Sequence, residues 1–208
     1  MKKNGFTLAE VLITLAIIGV VATLTLPALM TNTAEQQSIT AFKKLMNTLN
    51  EAGQMNSALE GFDYSIQNVG SLDDYIEDDV QSLGSLFNER LQVSREASGG
   101  YGATGHCTAD PVFVLRDGTA ICLGGAGYNA SGYHTIWVDT NAQKGPNLES
   151  TCNAEGCIDK AQRIIKDQFA VTISRGIAVP GHWTAYEEEG TRGTDFASRY
   201  AMGIGKRQ

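Results

Sequence analysis

Glu10 is the residue whose chemistry most needs explaining. It stands at the head of a run, Val11–Met30, that holds no charged side chain. At ~1.5 Å per helical residue that run spans about 30 Å, the thickness of one hydrocarbon core. An acidic side chain at a bilayer centre costs roughly 2.5–3.5 kcal/mol, so such residues usually have a task and a partner. The run offers no internal partner, so the charge that suits Glu10 is a positive one brought by another molecule. Lys2 and Lys3 precede the run. The positive-inside tendency keeps that end cytoplasmic and places the bulk of the chain across the membrane.

Other residues with chemical potential give weaker patterns. Cys107, Cys122, Cys152 and Cys157 form an even set, which outside the cytoplasm favours disulfides. Three connectivities are open. The nearest pairing, Cys107 with Cys122 and Cys152 with Cys157, is the one expected, because it closes a hairpin and a short loop. Zinc is the rival for the Cys-x4-Cys spacing, but the chain has no pair of tight Cys-x-x-Cys knuckles. Gly100–Gly105 spells G-x-G-x-x-G, yet polar residues precede it and Pro111 soon follows, so it reads as a loop and not as a strand-to-helix fingerprint. His106, His134 and His182 are scattered, and no nucleophile elbow occurs. A Cys107 nucleophile with His134 or His182 is formally open, but an oxidised extracytoplasmic cysteine is inert. The chain is not expected to be an enzyme.

Asp139, Asn141 and Gln143 alternate oxygen-bearing side chains ahead of Gly145. A helix–loop–helix calcium loop needs glycine at its sixth place and an acid at its twelfth, where this chain has Lys144 and Ser150. A tight turn capped by Asp and Asn side chains is favoured over a cation loop. No cofactor is therefore expected, with calcium at Asp139 and Asn141 as the alternative.

Three readings compete for the N-terminus. A secretory signal has an apolar core of 7–15 residues and a small-residue cleavage site, and this core is longer. A plain single-pass anchor fits the length and gives no reason for Glu10. The third reading rests on Lys2-Lys3-Asn4-Gly5-Phe6-Thr7-Leu8-Ala9-Glu10 and the apolar run behind it. This segment resembles the leader and first helix of type IV pilins and type II secretion pseudopilins, with no departure at the key positions. The resemblance implies cleavage after Gly5 by a prepilin peptidase, N-methylation of Phe6, and pairing of Glu10 with the Phe6 amine of a neighbouring subunit during assembly. Two charges that are each costly to desolvate alone recover that cost when docked, and such pairs set register between helices. Phe6 and Glu10, four apart, share one helix face. Pro27 is expected to kink the apolar helix, which bilayers tolerate. Val11, Leu15, Ile18 and Val21 are candidate knobs, with Ala16 and Gly19 allowing close approach.

The elements that must carry these residues follow from periodicity. Ile39, Phe42, Leu45, Met46, Leu49, Met55, Leu59 and Phe62 recur at three- and four-residue steps, so an amphipathic helix is expected to continue through 31–62. Lys43, Lys44, Asn47, Asn50 and Glu51 fall on its other faces; Gly53 is a candidate bend and Gly61 the end. Residues 72–77 and 83–91 look like short helices, and the acidic run from Asp73 to Asp79 like a solvated face. Residues 111–115 and 119–123 flank Arg116-Asp117-Gly118, a hairpin signal. Residues 134–139, 169–173 and 176–180 are further strand candidates. The fold class is α+β: a long N-terminal helix packed on a small antiparallel sheet, as in pilins. The expected divisions are a leader (1–5), an assembly helix (6–30), its amphipathic continuation (31–62) and a head (63–208). A second stretch, Asp139 to Asn147 with Asp167 and Phe169 beyond it, looks like the D-x-N-G-x-x-G-P-N turn of pilin-like heads. It departs from that pattern in having Ala142 for glycine and a long insert that carries Cys152 and Cys157.

Composition narrows the partners. The chain has 16 Lys+Arg and 23 Asp+Glu. Loss of the leader removes Lys2 and Lys3 and leaves 14 Lys+Arg, a balance of −9. Phosphate contacts need clustered Lys and Arg, so nucleic acid is not an expected partner. The resemblance implies pilin-like subunits, a prepilin peptidase and methyltransferase, an inner-membrane assembly platform and lipid as partners. It implies a bacterial inner-membrane location with the head periplasmic or in an external filament. It does not choose between a pilus, a secretion pseudopilus and a DNA-uptake apparatus, nor between a major and a minor subunit. The rivals are a membrane-tethered adhesion or ligand-binding module, and a periplasmic enzyme released by an ordinary signal.

Overall fold

The computed structural model describes residues 7–65, 82–97, 107, 112–123, 133–142, 144–152, 163–174, 176–181 and 192–204. The chain divides into two compact units, Met1–Gln37 and Ser38–Gln208, and the first helix, α1 (Leu8–Glu60), contributes to both.

Within the first unit the helix is apolar on every face from Val11 to Met30, ahead of the mostly polar residues 31–37. Leu8, Leu12, Ile13, Leu15, Ile18 and Leu24 are all more than half exposed. Pro27 lies inside α1, which continues through it. Proline brings no N–H, so the turn before it lacks one backbone bond.

In the second unit α1 becomes one-sided. Ile39, Phe42, Leu45, Met46 and Leu49 are buried, as their spacing predicts. The stripe then departs from expectation: Met55 and Leu59 are more than half exposed, and Ala52 and Asn56 are the buried positions. The chain beyond the helix causes this. After Gly61, whose φ of 77° ends the helix as a left-handed cap, Tyr64 folds back onto α1. Its hydroxyl donates to the Leu49 carbonyl at 2.6 Å. Gly53 does not serve as a bend. It clears space for the Tyr64 ring, which would lie 2.7 Å from any Cβ there. Asn56 donates to the Phe62 carbonyl and accepts from Arg90 Nε at 2.8 Å.

Helix α2 (Leu83–Arg90) starts at a capping box, with Ser82 and Ser85 bonding each other's backbone N–H. The segment 72–77 lies outside the described residues. Strands β1 (Val93–Ala97), β2 (Val112–Leu115), β3 (Ala120–Cys122), β4 (Tyr133–Asp139), β7 (Gln168–Ser174) and β8 (Ile177–Pro180) form one antiparallel sheet in the order β1-β2-β3-β4-β7-β8. Strands β5 (Thr151–Cys152) and β6 (Arg163–Ile164) make a separate ribbon. The expected hairpin joins β2 to β3, and Gly118 takes a φ of 89° at its turn. Strand alternation sorts the two faces. Phe113, Ile121, Ile136, Val138, Phe169, Val171 and Ile173 join the α1 stripe in one core, where Phe42 stacks on Phe169 at 4.4 Å. Val112, Val114, Ala120, Cys122, Trp137 and Ala170 form a second cluster.

A last helix, α3 (Arg192–Met202), was not expected. Its fully buried residues, Ala197, Ser198 and Ala201, are small, but Phe196, Tyr200 and Met202 pack half-buried beside them, and that spacing is the signal that could have found it. It is anchored by Ser198 Oγ, which accepts the Ala170 N–H at 3.2 Å.

Candidate functional site

The start of α1 places Glu10 in a local hydrogen-bond system. Leu8 is the first helical residue, so Thr7 is the N-cap and Glu10 the third helical position. Thr7 N–H and Thr7 Oγ1 both donate to Glu10 Oε2 at 2.8 Å, and Glu10 N–H donates to Thr7 Oγ1 at 3.3 Å. This is a capping box, which ties up two of the four N–H groups that a helix start leaves unpaired. The negative side chain in the first turn also complements the helix dipole. The sequence signal was the Thr-x-x-Glu spacing of Thr7 and Glu10, which attention to the charge alone passes over. Gly5 and Phe6, the processing and assembly residues implied by the resemblance, lie outside the described residues.

Behind Glu10, α1 is long and apolar enough to cross a membrane. Its threonines hold their hydroxyls within the helix. Thr14 donates to the Val11 carbonyl, Thr23 to the Gly19 carbonyl and Thr25 to the Val21 carbonyl, at 2.8–3.0 Å. A hydroxyl satisfied by its own backbone removes most of the cost of placing it in hydrocarbon. Among the described residues nothing lies within 4 Å of the space beside Gly19, which leaves room there for the approach of a second helix.

Two features of the head were sequence candidates. Cys107 and Cys122 form a disulfide with Cα atoms 5.2 Å apart, and both are fully buried. In the chain-entropy picture a loop of this size contributes about 3 kcal/mol. Cys152 is also disulfide-bonded, and its expected partner Cys157 lies outside the described residues.

The Asp139–Asn147 turn is a knot of hydrogen bonds. Asp139 Oδ1 accepts the Asn141 N–H at 3.0 Å, and Oδ2 accepts from Gln168 Nε2 at 3.1 Å. Asp167 accepts the N–H groups of Asn147 and Leu148 at 2.8 Å and Asn141 Nδ2 at 3.2 Å. With Nδ2 turned toward its acceptors, the Asn147 amide reaches the Ala142 carbonyl at 2.8 Å. Burial, with the neighbouring Asp167 charge adding to it, pushes the Asp139 carboxyl up to about 7 despite its hydrogen bonds. Ala142 and Asn147 take φ values of 52° and 51°, which explains why the motif that this turn resembles has glycine at the position of Ala142. Gln143 lies outside the described residues. Among those described, no three His, Cys, Asp or Glu side chains form a metal-binding group.

The structure thus joins Asp139, Asn141 and Asp167 in one knot, and Cys107 to Cys122. His134 is buried in β4, whereas His106, His182 and the Gly100–Gly105 loop lie outside the described residues. Among curated proteins and among solved structures, nothing matches the chain. The family described as the prokaryotic N-terminal methylation motif matches residues 1–26, a span that contains Gly5, Phe6, Thr7 and Glu10. The chain therefore carries the prepilin-type signature of type IV pilins and pseudopilins at the head of an α+β fold.

Proposed function

We propose that this chain is a structural subunit of a bacterial envelope filament, a type IV pilus or a type II secretion pseudopilus. A prepilin peptidase cleaves it after Gly5, Phe6 is N-methylated, and subunits polymerise through the helix from Phe6 to Met30. Before assembly that helix spans the inner membrane, with its N-terminus cytoplasmic and the head on the far side. The partners are other pilin-like subunits and the membrane machinery that processes and assembles them. The head is not catalytic in this reading. The Asp139–Asp167 knot acts as a polar staple that needs no cation.

The observation that carries the proposal is the exposed apolar surface from Leu8 to Met30, headed by a carboxylate already aimed by its own cap. Hydrocarbon gives helices no hydrophobic reason to associate, so packing and the charge pair must supply one. Both Thr7 bonds fall on Oε2 of Glu10, and a carboxylate can accept further bonds at its second oxygen. That geometry suits a docking ammonium without dismantling the cap. N-terminal mass spectrometry of the native protein tests the proposal. A methylated Phe6 start is expected, with filament formation abolished in Glu10→Ala. A mature start near Ala34, or an intact leader on assembled filaments, would overturn it.

A further inference from the structure

β8 is an outer strand of the six-stranded sheet. It also has the composition that makes strand edges sticky, because Ile177 is 51% and Val179 36% exposed and both are β-branched. Its hydrogen-bonding phase is fixed by its neighbours. Ala178 pairs in register with Ile173, and its N–H and C=O both bond to the Asn50 side chain, so they point away from β7. Gly181 N–H donates inward to the Ala170 carbonyl at 3.0 Å, in the same phase. The outward-facing positions of β8 are therefore Ala178 and Pro180.

The outer edge consequently has no free N–H on either position. Ala178 N–H is taken by Asn50 Oδ1 at 2.9 Å, and Asn50 Nδ2 returns a bond to the Ala178 carbonyl at 3.1 Å. Pro180 has no N–H to offer. One amide side chain from α1 fills both bonding sites of a residue as a neighbouring strand would. Spacing alone puts Asn50 on the polar side of the helix with Asn47 and Glu51, but its side chain turns to the sheet edge.

We infer that Asn50 and Pro180 guard the β8 edge, preventing it from pairing antiparallel with β8 of a second copy of this chain. A polymerising or membrane-confined protein keeps its copies at high local concentration, where an open apolar edge would compete with any ordered contact. The inference goes beyond the filament reading and holds whether or not the chain polymerises through α1.

The full-length protein in detergent micelles tests this, with amide exchange at Ala178 and sedimentation velocity as the two readouts. Asn50→Leu keeps the side-chain size and removes both bonds. At concentrations that keep the variant monomeric, exchange at Ala178 is expected to rise by about tenfold; at higher concentrations a dimer absent from the parent should appear. Adding Val179→Lys to Asn50→Leu places a charge on the exposed face of the strand and should return sedimentation to that of the parent while Ala178 exchange stays raised. Pro180→Thr, which restores an outward N–H without touching the core, should raise association by itself. Glu10→Ala in the Asn50→Leu background should leave the new dimer intact. Loss of that dimer would mean that α1 drives it, and would overturn the guard role without bearing on filament assembly. Unchanged Ala178 exchange in monomeric Asn50→Leu, or parent-like sedimentation of both Asn50→Leu and Pro180→Thr, would also overturn it.

Discussion

From Leu8 to Met30, α1 leaves Leu12, Ile13, Leu15, Ile18 and Leu24 in the open, whereas from Ile39 to Leu49 the same helix hides Phe42, Leu45 and Met46 under a sheet. Backbone geometry is common to both stretches, so it cannot be what separates them. The first is apolar on every face, and its large side chains stand exposed. The second is apolar along one stripe, with Lys43, Lys44 and Glu51 outside it, and its partner is the strand face carrying Phe113, Val138 and Phe169. A helix that is hydrophobic all round has to be surrounded, and one with a stripe has only to be leaned upon. Under the filament reading, the contrast is between burial supplied by lipid or sister chains and burial supplied by the chain's own head.

Substitutions on the two stretches should diverge most where the packing differs most. Phe42→Ala removes the ring stacked on Phe169 and should cost the head about 3–5 kcal/mol in urea denaturation. Ile18→Ala, an equally apolar truncation on the same helix, should leave the head's midpoint unchanged. Equal effects would erase the distinction. Gly53→Ala should cost about 1–3 kcal/mol, because the new methyl displaces the Tyr64 ring and its bond to Leu49.

Acidity offers a finer separation. Folding lifts the Asp139 carboxyl from an ordinary 3.8 to about 7, so the folded head holds a proton that the unfolded chain has released. That contribution is complete below about pH 4 and is lost as pH climbs through about 7, with a slope of at most about 1.4 kcal/mol per pH unit. Thermal melts should thus show a softer head at pH 8 than at pH 5, and Asp139→Asn should flatten the trend. Val11–Met30 contains no ionisable side chain, so its helicity should not respond over the same range. The smallest effect is expected where α1 meets the β2–β3 turn. Lys44 pairs with Asp117 at 2.8 Å but is 64% exposed, so Lys44→Ala should shift the head's stability by no more than about 1 kcal/mol.

Large side chains in strict periods were legible beforehand, because burial of such groups is what makes a period visible. The α1 stripe through Leu49, the Asp117-Gly118 hairpin, and strands β4, β7 and β8 all belong to that class. The stripe misleads at Met55 and Leu59, where a returning aromatic, Tyr64, selects Gly53 and Asn56 as the inner face. Helix α3 could have been found in the spacing of Phe196, Ala197, Tyr200 and Ala201, whereas the two-residue strands β5 and β6 are too short to show a period. In the candidate site the oddity of Glu10 was plain from its surroundings, and its bond to Thr7 was equally available in the spacing. The role of Asp167 was visible only as an element of a resembled motif. The folded chain adds the reason, since two backbone N–H groups of a turn some twenty residues earlier converge on it.

The Cys107–Cys122 bridge sits where neither sulfur touches solvent. Oxidants can reach such thiols only while the surrounding chain is open, before folding or in a local opening. Under the filament reading, delivery of the head across the membrane supplies the oxidising surroundings that the bridge needs. Copies made where thiols stay reduced should remain without this crosslink, however sound their apolar helices.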